Sequence, residues 1–376
     1  MTNELPYSNK FLIRLYHDIT SQDWNNFVLN NNTGYVYHLY EMVDSSQLDF
    51  DDDYDIDNIS FAISDKLTEE IILLMPLYVK THKSSSGSKE YCELISKRGM
   101  VIKNNMPCKY EHKLSAFFIS YIDILLTKYN SKELHTEMPA LIKYNLPDNP
   151  KIVNPLIYFG FSPNFRYTWI VDLTKEELRI LSDCEETTRQ SIRKYLSNDE
   201  FAFVESNQIT RKDDYRDFIR LIEETYGRSL GKINNKEYYK DIFFKLSTQI
   251  FRIFFIRKKS NNEPIATAII LNFKNTAKYF LGASIKEKPI GINKYLIYLI
   301  MLELKLSGID YFETGGAYPF LRETSKRKGI SDFKKSFGTF LHVIYMGSFY
   351  SNNPIYWKTN IKAAKKEFKE KGTITL

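Results

Sequence analysis

The order of elements readable along this 376-residue chain repeats once, and that duplication constrains its fold more than any other feature. Apolar spacing and turn residues predict, in each half, a strand, helices, three antiparallel strands, a helix, a strand, a short helix and a final strand. The letters themselves do not repeat. In the first half the expected elements are a helix over 20–30 around Trp24 and Phe27, strands over 59–64, 70–82 and 90–102, a helix over 109–129, a strand over 136–142, a short helix over 154–159 and a strand over 166–172. The serine-rich stretch 81–89 reads as a hairpin turn. Asp51, Asp53, Asp55 and Asp57 read as an acidic surface loop, because Ile56 and Ala62 stand where a calcium loop needs Gly and Glu.

The second half runs through a strand over 201–205, a helix with Tyr215, Phe218, Ile219, Ile222 and Tyr226 on one face, and a helix over 236–246. Strands over 250–257, 264–273 and 277–284 follow, then a helix striped by Ile292, Leu296, Leu299, Leu302 and Leu306, a strand over 311–314 and a last strand over 341–349. Residues 174–196 are expected to form one long charged bridging helix, opened by a capping box of Thr174 and Glu177. The expected fold class is α/β (α+β), with an N-terminal domain over 1–173 and a C-terminal domain over 174–376. Each is a mixed, mostly antiparallel sheet flanked by helices.

Bulk properties exclude more than they select. With 43% hydrophobic and 26% charged residues the chain is globular. A net charge of +6 suits an anionic small substrate, a nucleic acid or an inner membrane surface about equally. Cys92, Cys108 and Cys184 have no paired spacing, which argues for a reducing compartment. No signal-peptide pattern and no membrane-spanning run is visible, so a cytoplasmic protein is expected. Phosphate-loop, zinc-protease, nucleophile-elbow and dinucleotide motifs are missing, and the six histidines lack ligand spacing, so no metal is expected.

Chemistry concentrates in residues 309–338. A strand, Ile-Asp-Tyr-Phe-Glu-Thr, ends in Gly315-Gly316, a polar loop follows, and then Gly-Ile-Ser-Asp-Phe-Lys-Lys-Ser-Phe-Gly carries Lys334 between Phe333 and Phe337. Paired glycines after a strand permit close backbone approach or positive φ. Lys334 suits stabilisation of a developing oxyanion or anchoring of a phosphate, against the plainer reading of a solvated lysine on a short helix. Glu313 suits a general base for an amine, or equally the carboxylate partner of a nearby cation. Arg228 suits bidentate phosphate binding or a helix C-cap. Tyr238, Tyr239 and Tyr279 are cleft donors or, in a chain with 27 tyrosines, core residues.

These motifs resemble the FemAB-like, or BioF2-like, branch of the GNAT acyltransferase superfamily. The resemblance covers roughly residues 185–345. Its carriers are Thr188–Lys194, Glu224-Thr225-Tyr226-Gly227-Arg228 with Glu237-Tyr238-Tyr239, the strand 309–316, and the signature 329–338. It implies two GNAT-like domains and transfer of an acyl or aminoacyl group to an amine, often on a cell-envelope precursor. It further implies acceptor-phosphate binding by Arg228 and a reaction-site Lys334, facing Glu313, Gly315 and Gly316 across one cleft, with Arg322 in the basic loop beside them. Glu313 stands where the family usually has Asp, and the Lys-rich hairpin that some members use as a transfer-RNA arm is missing. At 286–294 a lone Gly291, with Asn293, replaces the glycine-rich loop that holds the pyrophosphate of coenzyme A in ordinary members.

The expectation is therefore an N-acyltransferase with no tightly bound cofactor, using acyl-CoA or aminoacyl-tRNA as co-substrate. Its acceptor would be an anionic amino sugar, peptidoglycan precursor or surface-polysaccharide intermediate, and it would touch a membrane only peripherally. The alternative is a non-catalytic module of the same fold that grips an anionic envelope ligand. Donor, acceptor and oligomeric state are not legible.

Overall fold

Residues 5–45, 54–83, 89–141, 154–227, 236–319 and 326–350 are described in the computed structural model. In chain order they begin with β1 (Phe11–Leu15), α1 (Ser21–Asn30), α2 (Tyr40–Ser45), β2 (Tyr54–Asn58), β3 (Phe61–Asp65), β4 (Ile71–Met75), β5 (Tyr78–Lys83), β6 (Lys89–Ser96), β7 (Val101–Ile102), α3 (Cys108–Lys128) and β8 (Glu133–Glu137). A 3-10 turn over Pro155–Phe159 leads to β9 (Ser162–Asp172), α4 (Glu177–Asp183), α5 (Glu186–Leu196), β10 (Phe201–Glu205), α6 (Arg211–Gly227) and α7 (Lys236–Lys245). Then come β11 (Phe251–Lys258), β12 (Pro264–Phe273), β13 (Thr276–Ser284), α8 (Ile292–Leu306), β14 (Tyr311–Ala317), α9 (Lys326–Lys335) and β15 (Phe340–Tyr350). The class is the mixed, mostly antiparallel α/β fold expected.

Local chemistry explains where the elements differ from expectation. The predicted strand 70–82 is two strands, parted at Pro76, whose missing N–H cannot serve a ladder. The predicted strand 90–102 breaks likewise near Gly99, at φ +72°. In both cases the chain changes sheet: β4 and β7 join β1 and β3, whereas β5 and β6 join the larger sheet. Asp55 and Asp57 form no loop but are the exposed alternate positions of β2, and Asp51 and Asp53 lie outside the described residues. The predicted helix 174–196 is also two helices. Extended backbone at Cys184 and Glu185 separates them, and the Glu185 N–H leaves the helical pattern to donate to the Ser336 carbonyl at 2.9 Å. Nor does Thr174 cap: its hydroxyl donates to Asp172 at 2.6 Å, and Glu176 is the N-cap.

Two compact units result, one of residues 1–166 with 344–376 and one of 167–343, against the expected 1–173 and 174–376. The reason is where the last strand of each sheet comes from. In the first unit the antiparallel pair β5–β6 is followed by α3 and by β8, which returns parallel to β6; β15 then pairs antiparallel with β8. The second unit repeats this with β12–β13, α8 and β14, which lies parallel to β13, and β9 pairs antiparallel with β14. The first unit thus takes its last strand, β15, from the chain that follows the second, whereas β9 leads directly into the second unit.

The second unit contains Glu313 and Lys334. Its strand order is β10-β11-β12-β13-β14-β9. One face is covered by α5 and α8, with Ile192, Leu296, Ile300, Met301 and Leu304 packed on Phe254, Ala268, Ile270, Phe312 and Val171. The other face carries α6 and α7, where Phe243 meets Phe251 at 6.1 Å and Tyr238 meets Phe280 at 6.4 Å. Among the described residues no helix is long and apolar enough to cross a membrane. Phe312 is fully buried in the α8 face, so Phe312→Ala is expected to cost about 3–5 kcal/mol in chemical denaturation. Leu67→Ala, at a position 92% exposed, is the control and should change stability by about 0.5 kcal/mol or less.

Candidate functional site

Strands β13 and β14 run together for only three register pairs, Thr276 with Tyr311, Ala277 with Phe312 and Lys278 with Glu313. Beyond these, residues 279–284 pair with β12 alone and residues 315–317 pair with β9 alone. Each strand is irregular where they part. The β12–β13 register shifts between Ile269 and Ile270, around Phe280, and the β14–β9 register shifts between Glu313 and Gly315, leaving Thr314 extra. Bulges bend and twist the strands that carry them. The result is a slot in the middle of the sheet, walled by the diverging strands.

The faces of the slot carry different chemistry. Glu313 is registered with Ile170, and its Oε1 accepts from Thr168 Oγ1 at 3.0 Å, so it lies on the Thr168–Ile170 face. At the apex Lys278 donates to the same Oε1 at 2.6 Å. Lys278 is registered with Leu271 and so with Phe251, which places the ion pair on the α7 face. Both partners are largely buried. His342 lies within electrostatic reach of Glu313; burial holds its imidazole below the ordinary value, partly opposed by that carboxylate.

Trp169 points to the opposite face, where its Nε1 donates to Ser331 Oγ of α9 at 3.0 Å. Ser331 Oγ in turn accepts from the Tyr318 N–H at 2.9 Å, which fastens α9 to the end of β14. Phe333 and Phe337 pack edge to face at 5.2 Å and turn α9 so that Lys334 reaches the slot. Gly315 is registered with Trp169 and has φ +103°; a Cβ added there would fall 2.6 Å from Lys334 Nζ. Only a residue without a side chain lets the ammonium lie this close to the strand. Tyr279 packs toward the same α8 side, its hydroxyl over Gly282.

Lys334, Gly315 and Tyr279 thus belong to one face, with Gly316 next in the strand beneath the Tyr318 ring. Glu313 belongs to the other, and the single cleft expected to hold it opposite Lys334 is instead a slot approached from two sides. Tyr238 and Tyr239 are buried in the α7 core, Tyr239 against Phe218 at 5.9 Å. Arg228 and Arg322 lie outside the described residues. At the start of α8, Gly291 has φ +87° and serves the approach of α5: an added Cβ would meet Ser191 at 2.8 Å, and Tyr195 donates to the Ile290 carbonyl at 2.8 Å. The Asn293 side-chain amide is buried there with its Oδ1 lacking a hydrogen-bond partner among the described residues. The residues present at this helix start fit a coenzyme A pyrophosphate poorly. No group of three or more metal-ligating side chains occurs among the described residues.

Sequence reasoning missed Lys278, Thr168, Trp169, Ser331 and Ser191. Lys278 left one signal, a lysine at an inward position of an otherwise apolar strand. The Trp169–Ser331 bond spans 162 residues and left none.

No protein-family profile and no curated protein sequence matches the chain. Solved structures do match it in fold. FemX is 16% identical over 90% of this chain and 98% of its own, with a TM-score of 0.65. The C-terminal DUF2156 domain of a protein named as a lysylphosphatidylglycerol synthetase from Agrobacterium fabrum is 14% identical, covering 92% and 96% of the two chains, at 0.54. A conserved protein of unknown function from Bacteroides thetaiotaomicron is 9% identical, covering 90% and 100%, at 0.53. The chain shares its fold with FemX.

The apex pair makes its own prediction. Glu313→Gln leaves the Lys278 ammonium facing a neutral amide in a mostly buried setting, with an expected loss of about 3 kcal/mol in denaturant titrations. Combining it with Lys278→Met is expected to restore most of that loss, because two neutral groups then face each other.

Proposed function

We propose that this protein is an N-acyltransferase, moving an acyl or aminoacyl group from an activated donor to the amine of an anionic cell-envelope precursor. The observation that carries this reading is the Lys334 ammonium held against the Gly315 backbone at a slot where two strands part. Such an arrangement offers a fixed positive charge beside strand edges that no longer pair with each other, the requirement for holding a carbonyl and stabilising the oxyanion formed when an amine attacks it. In this reaction the acceptor nitrogen bonds to the carbonyl carbon, negative charge gathers on the carbonyl oxygen near Lys334, and the donor's ester or thioester bond breaks. The amine proton leaves to solvent and the departing oxygen or sulfur is protonated from it. No covalent enzyme intermediate is needed.

The fold shared with FemX supports the same reaction class. The crowded start of α8 favours a donor that does not rest a pyrophosphate there, which puts aminoacyl-tRNA ahead of acyl-CoA. The Lys278 pairing favours a structural role for Glu313 over that of free base. An anionic acceptor fits the cations of α9, five Lys or Arg against one Asp over residues 326–335.

Product formation from aminoacyl-tRNA or acyl-CoA with nucleotide-linked amino sugars and murein precursors is the test, read by mass spectrometry. Lys334→Ala is expected to lower turnover by about a hundredfold or more while the protein melts within a few degrees of wild type. Gly315→Ala is expected to displace the ammonium, lowering turnover similarly and stability by about 1–3 kcal/mol through its positive φ. Wild-type acceptor binding with no product from either donor class would favour a non-catalytic module.

A further inference from the structure

Along the slot, the edge of β13 is open for a shorter distance than the strand itself runs. The Ile285 N–H donates to the Ile265 carbonyl of β12 at 3.0 Å. Backbone groups alternate in direction along an antiparallel ladder, so those of Ser284 point the other way, to the side on which β14 lies. Neither group is left bare. Thr225, near the end of α6, donates its hydroxyl to the Ser284 carbonyl at 3.0 Å and accepts the Ser284 N–H at 2.9 Å. One side chain thus answers both backbone groups of a strand residue, as a neighbouring strand would. Beside it the Lys286 N–H donates to Glu224 Oε1.

At the other end the Lys278–Glu313 pairing closes the slot. Between the two closures lie residues 279–283. Leu281 and Ala283 share the direction of Ile285 and belong to the β12 ladder, and Phe280 is the bulged residue. Gly282 is left with its backbone turned to the slot, two residues before Ser284, and the Tyr279 hydroxyl lies over it. At about 3.3 Å per residue the open edge measures roughly 15 Å, and it offers one regular N–H and C=O pair. Anchoring of α6 is supplied elsewhere, since its apolar residues Phe218, Leu221 and Ile222 are buried. The Thr225 bonds fall instead on the strand edge, where an extended ligand pairs.

We propose that Thr225 is a specificity-determining residue that ends the slot at Ser284, so that what pairs along β13 is a group about one residue long, such as a single aminoacyl unit. A longer extended arm reaches Ser284 and finds its N–H and C=O already taken. This length limit rests on the slot being the binding site of the transferase reading, but not on which bond the protein makes there.

The test is calorimetric titration of the full chain with acetyl-alanine methylamide and acetyl-tetraalanine methylamide, alongside hydrogen exchange of the Ser284 amide. In the wild type the longer probe is expected to bind within about twofold of the shorter, because the added length meets no free backbone group. Thr225→Ala is expected to speed exchange at Ser284 and to strengthen the longer probe alone by about tenfold, the worth of the two strand bonds it releases. Thr225→Ser keeps the hydroxyl and should match the wild type in both measurements, with the circular dichroism spectrum unchanged in either variant. A wild type that already prefers the longer probe about tenfold would overturn the proposal, whether or not a variant folds. So would a length ratio that Thr225→Ala leaves unaltered, or no binding of either probe. Turnover with aminoacyl-tRNA, measured in parallel, separates the two readings. Length-limited binding without product counts against the transferase alone, whereas product without the length limit sinks the role given to Thr225.

Discussion

The second unit depends on one departure from regularity, the separation of two parallel strands after the Lys278–Glu313 pair. A regular sheet would satisfy the backbone groups of 279–284 and 315–317 on both sides and leave no opening. The bulges at Phe280 and Thr314 turn the strands apart, and the ion pair sits at the last point where they still touch. A salt bridge this buried contributes little net stability by itself, but it is costly to break on one side. Its effect is positional: it marks where pairing ends. Thr314 Oγ1, donating to the Trp169 carbonyl at 3.2 Å, ties the bulged residue to the neighbouring strand.

From that opening the arrangement of α9 follows. Trp169, Ser331 and the Tyr318 amide form a three-way tie, and the Phe333–Phe337 pair fixes the helix rotation. Lys334 then has its reach restricted to the strand below it, where Gly315 leaves room. The same economy appears at Gly291, where a missing side chain admits Ser191 of α5. The two glycines look alike in the sequence and do opposite things: one opens a site, the other closes a helix start.

Much of this was legible in the letters. Periodicity gave α6, α8 and the three strands of the second unit to within a few residues, because their buried faces are continuous. The Gly-Gly break and the flanking aromatics single out Lys334 in the letters, and its ammonium lies beside Gly315 in the structure. What stayed hidden depends on long-range partners. The face on which Glu313 lies is set by a one-residue register shift, and a shift of one reverses every side chain beyond it. Lys278 became a partner only through a parallel pairing made after the α8 crossover. The breaks at Pro76 and Gly99 were visible as letters, but the change of sheet at each was not.

The position of β15 carries a consequence for how the molecule is made. The sheet of the first unit lacks β15 until residues 340–350 leave the ribosome, by which time the whole of the second unit has already been synthesised. Until then β8 presents a row of unpaired amides and carbonyls to whatever is nearby. The first unit therefore cannot be completed before the second has been synthesised. The half-built sheet waits with one edge bare until that last strand arrives.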